Sequence, residues 1–233
     1  RKVYRLSNGD EQAVFFAEPM HVYDEETDTF AEVDNTLAVD EENRHFVCGR
    51  NRFVARFSRE ETNDELFSVE KGMCKVTVSA KKNRKEKGHG TVPVLQKAIA
   101  AENEVTDMLV FDSAIANADM EYRVTGNGVK EDIIVKEKAD VYRYPFTISM
   151  ENVTADFKED EQCVSFKSME TEEEVFYIPA PFMQDANGVV STGVFYEVKE
   201  LADGAMQLTV IADSEWMNAE GRAFPVTIDP QIV

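Results

Sequence analysis

The segment at residues 119–135 reads DMEYRVTGNGVKEDIIV and contains the clearest strand, turn and strand of the chain. Alternate residues in both arms are largely apolar, which is typical of strands that face a core on one side. The Gly-Asn-Gly of residues 126–128 tolerates the positive φ angles of a tight turn. We therefore predict a hairpin whose two-residue turn is Asn127-Gly128, with Tyr122 opposite Ile133. A register shifted by two residues would change the partners but keep the apolar face.

Short alternating strands separated by turn signals continue through the rest of the chain. This pattern is typical of an all-β, antiparallel β-sandwich rather than of a βαβ protein. We predict such a sandwich, built from two packed β lobes at residues 1–82 and 105–233, with one large sandwich as the alternative. Residues 83–104 are expected to form a basic mobile loop and one short connecting helix, because basic residues crowd positions 81–87 and apolar residues recur at helical spacing in 94–102.

The charge balance restricts the partners that the chain is expected to have. Its 233 residues include 25 Lys and Arg against 45 Asp and Glu, for a net charge of -20. So acidic a composition argues against nucleic acid or an anionic membrane as the main partner. The apolar runs are too short to span a bilayer, so we also expect no membrane insertion. The chain begins at Arg1 without an initiator methionine or an apolar leader, and we expect it to be a piece of a longer precursor.

Residue types that usually carry catalysis or bind metal are few or scattered. The cysteines, Cys48, Cys74 and Cys163, are widely spaced, and we predict buried thiols, with one disulfide as the alternative. The three histidines are not spaced as metal ligands, and the sequence contains no nucleophile elbow, Walker loop or zinc-protease motif. Carboxylates are too numerous to single out a glycosidase pair. We therefore expect no catalytic residue, no metal and no cofactor.

Aromatic residues supply the one candidate binding site that the sequence offers. Glycan-binding modules present flat rings on an exposed sheet face, and the candidate rings for such a platform are Trp216, Tyr142, Tyr144 and Tyr196. The competing interpretation is that they fill the core. With 15 Phe and 7 Tyr, the chain has the aromatic content that a sandwich of this size needs for its interior. We favour the core interpretation.

Several stretches together resemble a known region of bacterial proteins. The stretches are AEVDNTL at 31–37, YRVTGNGVKE at 122–131, EVFYIPAP at 174–181, and ADSEWMN at 212–218 with FPVTIDP at 224–230. They resemble the region that precedes the DNRLRE-type module and the RHS/YD repeats in large secreted, wall-associated proteins of Gram-positive gut bacteria. The resemblance implies an extracellular, multidomain setting and a β-rich module without catalytic residues.

These observations lead to one expected function and one alternative. We expect a non-catalytic structural or presentation module of an exported, multidomain bacterial cell-surface protein, and not an enzyme. The alternative is a carbohydrate-binding module for glycan recognition. The expected partners are other domains of the same polypeptide, with cell-wall or host polysaccharide as the candidate ligand and no nucleic acid. The expected location is extracellular, at the cell surface or wall.

Overall fold

A computed structural model describes residues 2–5, 11–14, 19–24, 27–60, 64–82, 93–99 and 105–233. Nearly all of the regular structure is β, which confirms the predicted all-β class. The strands of the first half are β1 (Lys2–Arg5), β2 (Glu11–Val14), β3 (His21–Asp24), β4 (Thr29–Glu32), β5 (Leu37–Asp40), β6 (His45–Cys48), β7 (Val54–Ser58), β8 (Glu65–Lys71), β9 (Cys74–Ser79), β10 (Val94–Ile99) and β11 (Val105–Ile115).

The second half continues the pattern and contains one short helix. Its elements are β12 (Ala118–Val124), β13 (Val129–Val135), β14 (Arg143–Glu151), β15 (Val153–Lys158), β16 (Cys163–Ser168), β17 (Glu174–Ile178), β18 (Phe182–Gln184), β19 (Val190–Ser191), β20 (Val194–Glu200), β21 (Met206–Ala212), α1 (Ser214–Asn218), β22 (Val226–Asp229) and β23 (Gln231–Ile232). Among the described residues, no helix is long and apolar enough to cross a membrane.

Two eight-stranded sheets form most of the structure. The first sheet has the order β20-β21-β14-β9-β8-β7-β6-β5, and the second has the order β10-β11-β12-β13-β22-β18-β19, with β23 also paired to β13. The remaining described strands form a three-stranded sheet, β15-β16-β17, and the hairpins β1-β2 and β3-β4. Neighbouring strands run antiparallel, as expected where tight turns join strands that follow one another in sequence.

The core lies between the two large sheets. Rings from the first sheet, Phe57 and Phe67, contact Tyr122 of the second, with centroid separations of 5.7 and 5.1 Å. Within the first sheet, β9 pairs with β14, which places Ser79 opposite Thr147. One sheet and one core therefore include strands from both predicted lobes, 1–82 and 105–233. The division of the chain into domains stays a prediction.

The central hairpin forms with a different register from the one predicted. Val124 pairs with Val129 and Tyr122 with Glu131, so residues 125–128 form a four-residue connection instead of a two-residue turn. The register differs by two residues, and the predicted apolar face is kept. The hydroxyl oxygen of Thr125 accepts hydrogen bonds from the backbone N–H groups of Asn127 and Gly128, at 3.3 and 3.2 Å, and this stabilises the longer connection.

Gly128 is needed for a close approach and not for a positive φ angle. Its φ lies outside the left-handed region. A Cβ placed there would lie 2.0 Å from the carbonyl oxygen of Ile232, which belongs to the β23 strand that crosses the hairpin end. The glycine therefore marks the point where the last described strand packs against the central hairpin.

The helix predicted at residues 94–102 is wrong over its described part, residues 94–99. Residues Val94–Ile99 form β10, which pairs with β11 and places Val94 opposite Val110. The apolar spacing that suggested a helix extends over too few residues to compete with a partner strand. The predicted basic loop falls mostly at residues 83–92, outside the described residues. The helix α1 follows Asp213, whose carboxylate accepts the backbone N–H of Glu215 at 2.9 Å as an N-cap.

The cysteines occupy the interior, as predicted. Cys48, Cys74 and Cys163 are free thiols, and each is buried. Cys48 lies in the core, where its sulfur accepts the backbone N–H of Ala55 at 3.1 Å. Burial raises the pKa of this thiol. The disulfide alternative is therefore not formed in this structure.

Candidate functional site

A row of charged side chains lies on the face of the second sheet opposite the core. Strand alternation in the central hairpin turns Met120 and Tyr122 toward the first sheet, and it turns their neighbours the other way. We name this row the charged face; it comprises Glu121, Arg123, Lys130, Asp132 and Asp229. Arg123 lies opposite Lys130 and Glu121 opposite Asp132 across the two strands. Asp229 is contributed by β22, the next strand of the sheet.

Asp132 is at the centre of the charged face. Its side chain is only 4% exposed. The guanidinium Nη2 of Arg123 lies 2.7 Å from Oδ2 of Asp132, and the Nζ of Lys130 lies 3.1 Å from Oδ1. Lys130 also lies 3.2 Å from Oδ2 of Asp229. Asp132 thus pairs with both cations, and Lys130 also pairs with Asp229, so these contacts tie together four side chains around two carboxylates that are largely withdrawn from solvent.

Two carboxyl groups of the charged face hold their protons more strongly than exposed ones do. Burial raises the pKa of Glu121, and the negative charge of Asp132 across the strand pair raises it further. Burial also raises the pKa of Asp229, although the ammonium of Lys130 partly offsets this effect. Shifts in this direction bring a carboxyl closer to the pH at which it can both accept and donate a proton.

The charged face contains the chemical groups that acid–base cleavage of a phosphodiester requires. Guanidinium and ammonium groups bind phosphate oxygens and stabilise the charge that develops during reaction. A carboxyl of raised pKa can remove a proton from a hydroxyl nucleophile. An incoming phosphate would have to share Lys130 and Arg123 with Asp132 and Asp229. Among the described residues, no three His, Cys, Asp or Glu side chains are grouped so as to hold a metal ion.

The four rings named as a glycan platform lie elsewhere and do not form an exposed row. The tyrosines Tyr142, Tyr144 and Tyr196 are 1%, 1% and 3% exposed. Each hydroxyl donates a hydrogen bond inside the protein: that of Tyr142 to Asn218, that of Tyr144 to Asn117, and that of Tyr196 to the carbonyl of Pro179.

Trp216 is half-buried, and one face of its indole ring is covered. The guanidinium carbon of Arg222 lies 3.3 Å from the ring centroid. Arg222 is held there because its Nη1 pairs with Oδ2 of Asp185 at 2.8 Å and its Nε donates to the carbonyl of Trp216 at 3.0 Å. A sugar ring would have to displace this stacked cation to bind that face.

The residues of the charged face were not singled out from the sequence, although part of the signal is present there. The alternation that predicts the apolar face of the hairpin also predicts that Glu121, Arg123, Lys130 and Asp132 share the opposite face. Asp229 has no such local signal, because it joins the row only through the pairing of β22 with β13.

Three curated relatives are similar to the chain, and all are from Bacillus. The tRNA3(Ser)-specific nuclease WapA of Bacillus spizizenii is 24% identical, over 98% of this chain and 10% of the relative. The tRNA nuclease WapA of Bacillus subtilis is 25% identical, over 75% of this chain and 8% of the relative. The tRNA(Glu)-specific nuclease WapA of Bacillus subtilis subsp. natto is 28% identical, over 52% of this chain and 5% of the relative. No family model matches the chain, and no solved structure matches it.

These relatives overturn three expectations drawn from the sequence. Each is named as a tRNA nuclease, which contradicts the expectations of a non-catalytic module, of a protein that is not an enzyme, and of partners without nucleic acid. The expectation about nucleic acid was drawn from net charge, which describes the average surface of the chain and does not identify its partners. The chain spans at most 10% of the length of these relatives.

Proposed function

We propose that this chain functions as part of a tRNA-cleaving protein. The observation that carries the proposal is the similarity that extends along 98% of the chain to a tRNA3(Ser)-specific nuclease. Similarity along nearly the whole chain indicates a shared segment, in contrast to a match confined to one short motif. Because the segment is a small part of each relative, both the activity and the tRNA substrate enter here as proposals.

Within this proposal, the charged face is the part of the chain that acts on RNA. Glu121 is assigned the role of proton acceptor, because it lies opposite Asp132 on the charged face and because burial and Asp132 raise its pKa. Lys130 and Arg123 are positioned to bind the phosphate, since both retain exposed area beside the largely buried Asp132. The reaction class is cleavage by the ribose 2′-hydroxyl: the carboxylate takes the hydroxyl proton, the oxygen attacks phosphorus, and the 5′-oxygen leaves with a proton from solvent.

We also propose an exported, cell-surface or wall-associated setting for the protein. The support is the resemblance of four stretches of this sequence to the region before the DNRLRE-type module and the RHS/YD repeats. Residues of these stretches lie in β13 and β22, which are paired strands of the second sheet, and in β17 of the three-stranded sheet, so the resemblance covers strands of two sheets and not one local turn.

A chimaera tests the nuclease proposal. In the Bacillus spizizenii relative, the aligned segment is replaced by this chain, and cleavage of purified tRNA is followed by gel electrophoresis. The 233-residue chain alone is assayed in parallel. We expect the chimaera to cleave tRNA, and we expect Glu121→Gln in it to lower the rate by about 100-fold, which is a typical effect of losing a general base. Glu197→Gln, at an exposed ion pair with Arg143, is the matched control.

Two outcomes would contradict the proposal at different levels. A chimaera that folds, as shown by circular dichroism, and leaves tRNA intact would remove the proposed shared function. Full activity in both Glu121→Gln and Lys130→Gln would show that the charged face has no part in cleavage. Activity in the chain alone would place the whole reaction within these 233 residues.

A further inference from the structure

Glu131 is an acidic residue on the core face of the central hairpin. It lies between Val129 and Ile133 in the row that packs against the first sheet, and it is 7% exposed. The hydroxyl of Tyr122, directly opposite on β12, donates a hydrogen bond to its Oε1 at 2.8 Å. The charged face is on the other side of the sheet, so Glu131 has no part in the site described above.

Glu131 lines a small cavity between the two large sheets and β17. The cavity volume is about 20 Å³, which is enough for about one water molecule. The first sheet contributes only apolar side chains to its wall, among them Phe67, Phe146 and Leu208. No lysine or arginine lines the cavity among the described residues. Glu131 therefore lies beside a largely apolar wall that contains no lysine or arginine among the described residues.

Except for Tyr122, the titratable groups around Glu131 disfavour its ionised form. Besides Tyr122, the buried Tyr196 of β20 and the carboxylates of Asp132 and Asp229 act on it. The strands β8, β9, β14 and β21 contribute no titratable side chain to the cavity wall. Burial raises the pKa of Glu131 to about 8; the hydrogen bond from Tyr122 opposes this rise, and the charges of Asp132 and Asp229 add to it. Below that pH the group is a neutral carboxylic acid.

The end of the described chain closes one side of this cavity. Pro230, Gln231 and Ile232 line it together with Glu131. The backbone N–H of Glu131 donates to the carbonyl of Pro230 at 3.3 Å. The two-residue strand β23 pairs with β13 only through Val129 with Ile232 and Lys130 with Gln231. The next residue, Val233, exchanges two backbone hydrogen bonds with Tyr177 of β17, at 2.7 and 2.8 Å. With so few hydrogen bonds on either side, the position of β23 also depends on the packing beneath it.

We propose that Glu131 is a proton-dependent latch. Its neutral carboxyl group keeps the cavity dry and holds β23 against the central hairpin, and loss of that proton admits water and releases β23. A carboxylate in this cavity requires hydration that the apolar wall does not provide. Water reaches it most readily past β23, since this two-residue strand is the shortest strand that lines the cavity.

The sign of the effect on stability follows from the difference between folded and unfolded chains. The unfolded chain releases the Glu131 proton at the ordinary pKa of 4.5, whereas the folded chain keeps it to about 8. The contribution to stability is full below the unfolded pKa and is lost as the pH rises through the folded pKa. Between these values the unfolding equilibrium constant rises by about tenfold per pH unit through this group.

Two measurements on the 233-residue chain test the latch. The carboxyl ¹³C chemical shift of Glu131 is followed from about pH 5 to about pH 10, a range that includes its raised pKa of about 8. Hydrogen exchange, corrected for intrinsic rates, is followed at the amides of β13 and β23. We expect a titration midpoint near 8 and a loss of protection in β23 above it that is larger than the loss in β8 and β9. Glu131→Gln should abolish the change, whereas Glu197→Gln, at an exposed carboxylate, should retain it.

The proposal is overturned by a midpoint near the ordinary glutamate value, or by β23 protection that does not change through the titration. Uniform loss of protection across both large sheets would also overturn it, because that result describes global unfolding. If Glu131→Gln does not fold, the ¹³C titration of the wild-type chain still shows at which pH Glu131 loses its proton. Tyr122→Phe then tests whether this proton controls the protection of β23. Removing the hydrogen-bond donor to the carboxyl group should move the exchange transition to higher pH.

Discussion

Arg123 and Asp132 lie on neighbouring strands and form the closest ion pair of the charged face, with 2.7 Å between Nη2 and Oδ2. Asp132 is almost withdrawn from solvent, so loss of its partner leaves a buried charge with only Lys130 beside it. We expect Arg123→Ala to reduce the free energy of unfolding by about 2 kcal/mol, below the full effect of breaking a buried pair because Lys130 remains. Urea unfolding measures this change.

Arg143→Ala is the matched control for that prediction. Arg143 pairs with Glu197 at 3.0 Å, and both side chains are exposed. Exposed pairs of this kind contribute about 0–1 kcal/mol, so the control should change the free energy of unfolding very little. Equal effects of the two substitutions would contradict the importance assigned to the burial of Asp132.

Gly128→Ala is expected to destabilise the chain by about 1–3 kcal/mol, the usual range for overpacking. The reason is the 2.0 Å approach of its Cβ position to the carbonyl oxygen of Ile232, which requires backbone to move. Thermal unfolding provides the measurement. At Gly193 the nearest side-chain atoms would be 3.2 Å from a Cβ, so Gly193→Ala should lower Tm by less. A Tm equal to wild type for Gly128→Ala would show that β23 does not pack as described.

Asp185 is expected to make the protein sensitive to acid. Burial alone would raise the pKa of Asp185, but the backbone N–H of Val189 and the guanidinium of Arg222 outweigh burial and hold it below the usual range. A lowered pKa gives stability that is present above the unfolded pKa and is lost as the pH falls through the folded value. Urea unfolding is measured from about pH 6 to about pH 2, a range that includes the usual aspartate pKa. As the pH falls, the free energy of unfolding should decrease more steeply in the wild type than in Asp185→Asn.

The comparison with Asp203→Asn controls for the acid effect. Asp203 accepts only the N–H of Ala205 in an exposed turn, and it has no cation beside it in the hydrogen bonds described. We expect this variant to follow the wild-type acid profile. The prediction fails if Asp185→Asn and Asp203→Asn have the same dependence on pH.

The thiols should be unreactive in the folded protein. Cys48, Cys74 and Cys163 are all buried, and a thiol must ionise and reach the reagent before it can react. With Ellman's reagent at neutral pH we expect no rapid labelling of the native chain and labelling of all three thiols in guanidinium chloride. Rapid labelling of one native thiol, located by mass spectrometry, would show which part of the core opens.

Part of this structure is visible in the sequence because it depends on alternation alone. Alternation predicted the apolar face of the central hairpin, and the same pattern fixes the opposite side for Glu121 and Asp132. It could not fix the register, since registers that differ by two residues bury the same face and the bonds to Thr125 decide between them. Because the predicted register placed Tyr122 opposite Ile133, the sequence did not predict its pairing with Glu131.

Contacts between distant segments account for what the sequence did not reveal. The residues of β10 have helix-like apolar spacing, and only the presence of β11 as a partner makes them a strand. Asp229 enters the charged face through β22, and Arg222 covers Trp216 because Asp185 holds it from another loop. Each of these depends on which segments meet in three dimensions, and local propensity carries no information about that.

The pairing of β9 with β14 has a consequence for the growing polypeptide. During synthesis from the N-terminus, β5 to β9 can assemble early, but the hydrogen-bonding edge of β9 has no partner until residues 143–151 have been made. An open edge next to a large apolar face favours association with other chains. The first sheet is therefore most vulnerable to aggregation while the ribosome is translating the stretch between these two strands.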